Sequence, residues 1–160
     1  MFTNGALIAD IHGFLLGGLF LLAYSGGLMG LFSLRKNWET NRGQVILARS
    51  LAIGICLMAV IVWLTVLVGT YLLYPLFRTE FSAILNSSWN TVVMDWKSHI
   101  GWFAPLLTTA VAYIVVRYRK QLAGELQMRR ALIILFTLAF VTAGVAGLLG
   151  ALTTKVYPVF

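Results

Sequence analysis

The chain has 160 residues, of which 60% are hydrophobic and 11% charged, and its mean hydropathy is +0.89. This balance excludes an ordinary soluble domain and indicates an integral membrane protein. The net charge of +7 does not indicate nucleic-acid binding, because the basic residues flank apolar segments, as expected from membrane topology. The single cysteine, Cys56, excludes an intramolecular disulfide.

Four segments are long and apolar enough to span a bilayer, which takes about 20 residues of helix. They cover residues 6–34, 50–74, 98–116 and 131–153. We therefore expect an all-α protein, a single transmembrane four-helix bundle over residues 1–160. The first segment begins without a basic region, and Asp10 and His12 interrupt its start. We expect it to be retained and not removed as a signal peptide.

The distribution of basic residues predicts how the chain is oriented. The loop 35–49 carries four lysines and arginines and the loop 117–130 carries five, which makes nine of the twelve in the chain. By the positive-inside rule both loops are cytoplasmic, and the two termini and the 75–97 loop lie outside. We expect this topology in the plasma (inner) membrane of a bacterium. The 75–97 loop is long and partly amphipathic, which predicts a short surface helix or cap.

Small residues recur every four positions in the first and fourth segments. This spacing lets helices approach closely and predicts tight packing. A glycine also lies near each histidine, with Gly13 directly after His12 and Gly101 two residues after His99, where it would leave room for a flat macrocycle. The repeats are Gly13/Gly17, Gly26/Gly30 and Ala143/Gly147/Ala151.

The chain has two histidines, His12 and His99, both at the predicted outer ends of their segments. At the helical rise of 1.5 Å per residue, His99 lies about 27 Å from Arg117 and His12 about 34 Å from Arg35. Both therefore lie in or near the outer leaflet, where an imidazole is costly unless it is hydrogen-bonded, faces a cavity or binds a metal. Two imidazoles from different helices are sufficient to hold one haem b as axial ligands.

Several residues near His99 fit such a site. Asp95 lies one helical turn earlier and would accept the second ring N–H, which fixes the tautomer. Trp102 would line the macrocycle, while Lys97 and Arg78 lie on the side where haem propionates would emerge. Each also has an ordinary interpretation, because Asp95 and Lys97 suit a solvated helix entrance and Arg78 suits an interfacial anchor.

The pair His12-Gly13 and the stretch from Asp95 to Trp102 (DWKSHIGW), on four helices with outward termini, resemble the small membrane b-type cytochromes. These include the haem-anchor subunits of respiratory and photosynthetic redox complexes. The resemblance implies one haem b with His12 and His99 as axial ligands, in a subunit that transfers electrons and is not an independent catalyst. It also implies partners, either other membrane redox subunits or a periplasmic cytochrome.

Two other functions are consistent with the residues. One is a cofactor-free accessory subunit of a multi-subunit membrane complex, packed through its glycine faces. The other is a subunit that binds a quinone, or a pigment such as chlorophyll, whose magnesium needs one axial histidine. The aromatic residues available for that role are Tyr71, Tyr74, Trp96 and Trp102.

A metal site made of Asp10, His12, Asp95 and His99 fits less well, because Asp10 and His12 are two residues apart and point to different faces of a helix. A haem with a methionine ligand, Met58 or Met94, is also a weaker match than two histidines. The sequence has no motif typical of hydrolases or phosphate-binding loops.

Overall fold

The computed structural model describes residues 7–8, 10–33, 42–76, 88–122 and 124–155. Every regular element in these ranges is helical. Four of the helices are long and apolar enough to cross a membrane. The protein is therefore an all-α integral membrane protein, as the sequence predicted. The four candidate spans are Ile11–Ser33, Arg49–Leu76, Trp89–Tyr118 and Leu126–Thr153.

Five helices form these spans. The first, α1, consists of a π-helical turn, Ile11–Leu16, followed by the α-helix Gly17–Ser33. The second, α2 (Arg42–Leu67), continues into another π-helical turn, Val68–Leu73. The third span consists of α3 (Ser88–Gly101) and α4 (Phe103–Leu122), and the fourth is α5 (Leu126–Lys155).

The third span begins at Ser88, ten residues before the start predicted from hydropathy. Residues 88–97 include Ser88, Asn90, Asp95 and Lys97, which lower the average hydropathy of this stretch. The stretch is nevertheless helical, with Val93 buried on its inner face. Of the surface cap predicted in the 75–97 loop, residues 77–87 lie outside the described residues, and residues 88–97 belong to α3.

The interruption between α3 and α4 falls at Trp102. Pro105, three residues later, explains it, because proline has no N–H to bond the carbonyl of Gly101 and its ring crowds that carbonyl. Pro105 lies in the first turn of α4, where a missing N–H is tolerated. The third span therefore consists of two consecutive helices. The directions in which the side chains of α3 point around its axis are set separately from those of α4.

The helices are arranged as a ring in chain order. Helix α1 packs on α2, α2 packs on α4, and both α3 and α4 pack on α5, while a smaller contact between α1 and α5 closes the ring. The core between them is apolar and includes Leu31 of α1, Ile55 and Met58 of α2, Val111 of α4 and Phe136 of α5, each at most 1% exposed.

Two glycines of α1 allow close packing at this core. A methyl group added at Gly27 would lie 2.8 Å from Cζ of Phe136, and one added at Gly30 would lie 2.6 Å from Cδ1 of Leu51. Of the predicted pair Gly26/Gly30, Gly30 therefore packs inside the bundle. Gly13 and Gly26 have no heavy atom within 4 Å of the added methyl, so they lie on the outside of this chain.

A stack of aromatic rings forms much of the contact between α1 and α5. The ring of Tyr24 lies 4.5 Å from that of Phe136 and 4.2 Å from that of Phe140, with interplanar angles of 17° and 19°. Phe20 extends the stack toward Phe140 at 6.5 Å. Stacked aromatic side chains contribute stability beyond the apolar area they bury. They therefore strengthen the contact between α1 and α5, the smallest of the contacts that close the bundle.

Candidate functional site

The ring of His12 lies directly against Gly69. A methyl group added at Gly69 would lie 2.8 Å from Cε1 of the ring and 3.3 Å from Nε2. His12 lies in the π-helical turn of α1 and Gly69 in that of α2. Such turns are rare and occur frequently at functional sites, and here two of them meet at one contact.

One nitrogen of the His12 ring has no partner. Nδ1 is buried and makes no hydrogen bond within the part of the chain that the structure describes. The backbone of Thr65 acts as a hydrogen-bond partner of the ring, and the Thr65 hydroxyl is itself bound to the carbonyl of Ile61 at 2.7 Å. A buried ring nitrogen without a partner is unfavourable in a membrane bundle unless a ligand satisfies it.

Lys97 approaches the same place from α3. Its side chain is half-buried and crosses to α5, where Nζ lies 2.9 Å and Cε 3.2 Å from a methyl group added at Gly150. The ammonium is close enough to the His12 ring to interact with it electrostatically. His12 and Lys97 are thus two predicted site residues whose side chains each pack against a glycine of another helix. We call the arrangement of His12, Gly69, Lys97 and Gly150, one residue from each span, the His12–Lys97 site.

His99 has different surroundings. Its side chain is 76% exposed, and Nδ1 lies 2.8 Å from the backbone oxygen of Asp95. The Asp95 carboxylate, predicted to accept the ring N–H, is 71% exposed and lies 3.7 Å from Nδ1. That separation is an ion-pair distance and too long for a hydrogen bond, so the backbone carbonyl is the group that orients the ring.

The two histidines differ in how far they are buried. Lys97 and His99 are two residues apart on α3, which places them about 200° apart around the helix axis at 3.6 residues per turn. The His99 side chain is 76% exposed, whereas the His12 ring is half-buried against Gly69. A haem held between these two rings stays a prediction.

The remaining predicted residues lie at several places. Gly13 is exposed, and Gly101 has no heavy atom within 4 Å of an added methyl. Trp102 is half-buried and packs edge-on against Trp63, at 5.9 Å between ring centroids. Arg78 lies outside the described residues.

The aromatic residues of the alternative quinone or pigment site lie largely at the surface. Tyr71, Tyr74 and Trp96 are 66%, 40% and 62% exposed, and Trp102 is half-buried, so that site stays a prediction. Among the described residues, no group of three or more histidine, cysteine, aspartate or glutamate side chains is placed to hold a metal ion.

Sequence reasoning missed Gly69 and Gly150, because it considered the glycines next to each histidine in the chain and not those on facing helices. A signal was available. Each of the two lies close to the end of its apolar segment, at the same predicted side of the membrane as both histidines. Glycines at the same depth on different helices leave space that a side chain of a neighbouring helix can occupy.

No family model, no curated protein and no solved structure matches the chain. The fold itself defines the class of protein, an integral membrane protein with four apolar helices.

Proposed function

We propose that the protein is a membrane-embedded haem b subunit of a larger redox complex, and that it presents His99 as an axial ligand at its surface. The observation that carries this proposal is the 2.8 Å contact between Nδ1 of His99 and the backbone oxygen of Asp95, on a ring that is 76% exposed. Donation of Nδ1–H to a carbonyl fixes the tautomer and leaves the lone pair of Nε2 for a metal.

The face around His99 suits a flat apolar cofactor. Trp96 lies three residues before His99 and Phe103 four residues after it, and they are 62% and 56% exposed. On α3 the first spacing places Trp96 and His99 on one face, and Phe103 follows as the first residue of α4. The aromatic pair would flank a tetrapyrrole bound to the imidazole.

The second axial ligand would come from a partner chain, because His12 faces the inside of the bundle. The haem would then lie between this subunit and another membrane redox subunit or a periplasmic cytochrome. When bound, the haem supplies one-electron transfer, while His99 contributes axial ligation and the aromatic face excludes water.

The proposal places this face at the non-cytoplasmic side of a bacterial plasma membrane. The positive-inside rule supports this orientation, since the loops at the opposite end carry most of the lysines and arginines. Both chain termini then lie outside, and the two basic loops lie in the cytoplasm.

The test is a reduced-minus-oxidised absorbance spectrum of the protein purified with its native partners. We expect a low-spin haem b signal that is lost in His99→Ala and retained in His12→Ala. Ser98→Ala is the matched control, since among the described residues the Ser98 hydroxyl bonds carbonyls of its own helix, those of Met94 and Asp95. A colourless preparation, or full haem content in His99→Ala, would overturn the proposal.

A second candidate is the cofactor-free accessory subunit, and the outward glycines of α5 favour it. Gly144 and Gly147 have no heavy atom within 4 Å of an added methyl, so a helix of a partner subunit has room for close approach there. In that case the preparation is colourless and the complex dissociates in Gly147→Leu. Organic extraction with an absorbance scan separates both outcomes from a bound quinone or chlorophyll.

A further inference from the structure

The haem proposal leaves the His12–Lys97 site without a role, although this site contains an imidazole and an ammonium that are both partly buried in the bundle. Lys97 is a half-buried cation, and no carboxylate among the described residues forms an ion pair with it. Asp10 is exposed, Asp95 is exposed on the other side of α3, and Glu125 is exposed just before α5. A cation held between membrane helices is costly unless an anion compensates its charge.

The polar groups of the site specify the chemistry of that anion. The ammonium of Lys97 only donates hydrogen bonds, so its partner must be an acceptor. Since the ring donates its N–H to the backbone of Thr65, the free Nδ1 of the neutral imidazole accepts a hydrogen bond from a protonated oxygen, whereas the ammonium donates to an anionic one. An oxyanion such as phosphate offers both kinds of oxygen and satisfies both side chains at once.

The glycines of the site leave room for these side chains to meet. A methyl group at Gly69 would lie 2.8 Å from the His12 ring, and one at Gly150 would lie 2.9 Å from Nζ of Lys97. The glycines of α2 and α5 therefore leave the space that the His12 ring and the Lys97 ammonium occupy. The π-helical turns of α1 and α2 place His12 and Gly69 at this depth.

From these contacts we infer that the His12–Lys97 site binds an oxyanion of the phosphate type, held by the ammonium of Lys97 and the imidazole of His12. Its source is either the headgroup of an anionic lipid or a free anion. The site is independent of the haem proposal, since His99 points away from it, and neither result depends on the other.

The test uses the full chain in two arms. In the first, thermal unfolding is followed in a zwitterionic detergent while inorganic phosphate is added. In the second, the protein is reconstituted in bilayers of phosphatidylcholine with or without phosphatidylglycerol, and retained lipid is counted by native mass spectrometry. A response to phosphate identifies a free anion as the source, and retention of phosphatidylglycerol identifies a lipid headgroup.

Three variants complete the design. Lys97→Met should weaken the response about tenfold or more, since it removes a charge-assisted hydrogen bond, and without anion it should unfold at the same or a higher temperature than wild type. His12→Gln, which retains the ammonium, should weaken the response less. Arg130→Gln removes one exposed positive charge at the other end of α5 and should respond as wild type does.

The inference is overturned by no response in either arm, or by equal responses in wild type and Lys97→Met. If Lys97→Met does not fold, His12→Gln decides, because an unchanged response in that variant also excludes the site.

Discussion

His12 and Gly69 are in direct contact across the interface of α1 and α2, with the imidazole lying where any larger residue at position 69 would place its Cβ. Each residue belongs to a π-helical turn near the end of its helix. A π-turn rotates the residues that follow it relative to a regular helix. The contact therefore fixes the depth at which the His12 ring packs on α2.

The first prediction concerns this contact. Gly69→Ala should destabilise the bundle by about 1–3 kcal/mol, the usual cost of inserting a methyl group into a filled space, because the His12 ring must move. Gly54→Ala in the same helix is the matched control, since its methyl has no heavy atom within 4 Å. Unfolding by sodium dodecyl sulfate in mixed micelles measures both variants, and equal stabilities would contradict the contact.

The second prediction compares two adjacent glycines of α1. Gly27→Ala places a methyl group 2.8 Å from Cζ of Phe136, and that ring cannot retreat easily because Tyr24 stacks on it at 4.5 Å. We expect a loss of about 1–3 kcal/mol. Gly26→Ala meets open space and should be neutral or slightly stabilising, since alanine favours helix more than glycine does. The same unfolding assay ranks the pair, and a reversed order would refute the packing.

The sequence predicted the fold well and the site only in part, for one physical reason. Membrane spans follow from hydropathy averaged over about 20 residues, and this average does not depend on which way each side chain faces. A site depends on helical phase. Hydropathy assigned residues 88–97 to a surface cap and not to a spanning helix. The sequence therefore did not predict which faces of a helix Lys97 and His99 occupy.

Pairs across the bundle were equally hard to predict. The sequence marked His12, Lys97 and His99 as site residues, and the structure partly buries the first two while leaving the third exposed. Small-residue spacing indicated packing by Gly26 and Gly30, yet Gly27 and Gly30 are the glycines that face the core. The spacing of small residues indicates that one face of a helix is suited to close packing. The position of the neighbouring helix decides which of those residues are buried.

The third prediction concerns the hydrogen bond between α2 and α4. The indole N–H of Trp63 donates to the hydroxyl of Thr109 at 3.0 Å. Thr109→Val removes the acceptor and should cost about 0.6 kcal/mol, the average that double-mutant cycles give for interhelical hydrogen bonds in membranes. Thr108→Val is the control, because the Thr108 hydroxyl bonds the carbonyl of Ala104 within α4. A double-mutant cycle with Trp63→Phe should show coupling for Thr109 and none for Thr108.

The last prediction concerns the aromatic stack that closes the ring of helices. Tyr24→Leu keeps an apolar side chain but loses two stacked contacts, with Phe136 and Phe140 at 4.5 Å and 4.2 Å. At about 0.5–1.5 kcal/mol for each aromatic pair, the loss should total about 1–3 kcal/mol. Tyr24→Phe keeps the ring and should lose less, while Tyr113→Leu, at a tyrosine that is 66% exposed, should have little effect.

Because these rings form much of the contact between α1 and α5, a cysteine cross-link between the two helices should also form less readily in Tyr24→Leu than in Tyr24→Phe. Equal cross-linking in the two variants would show that the stack does not hold α1 against α5.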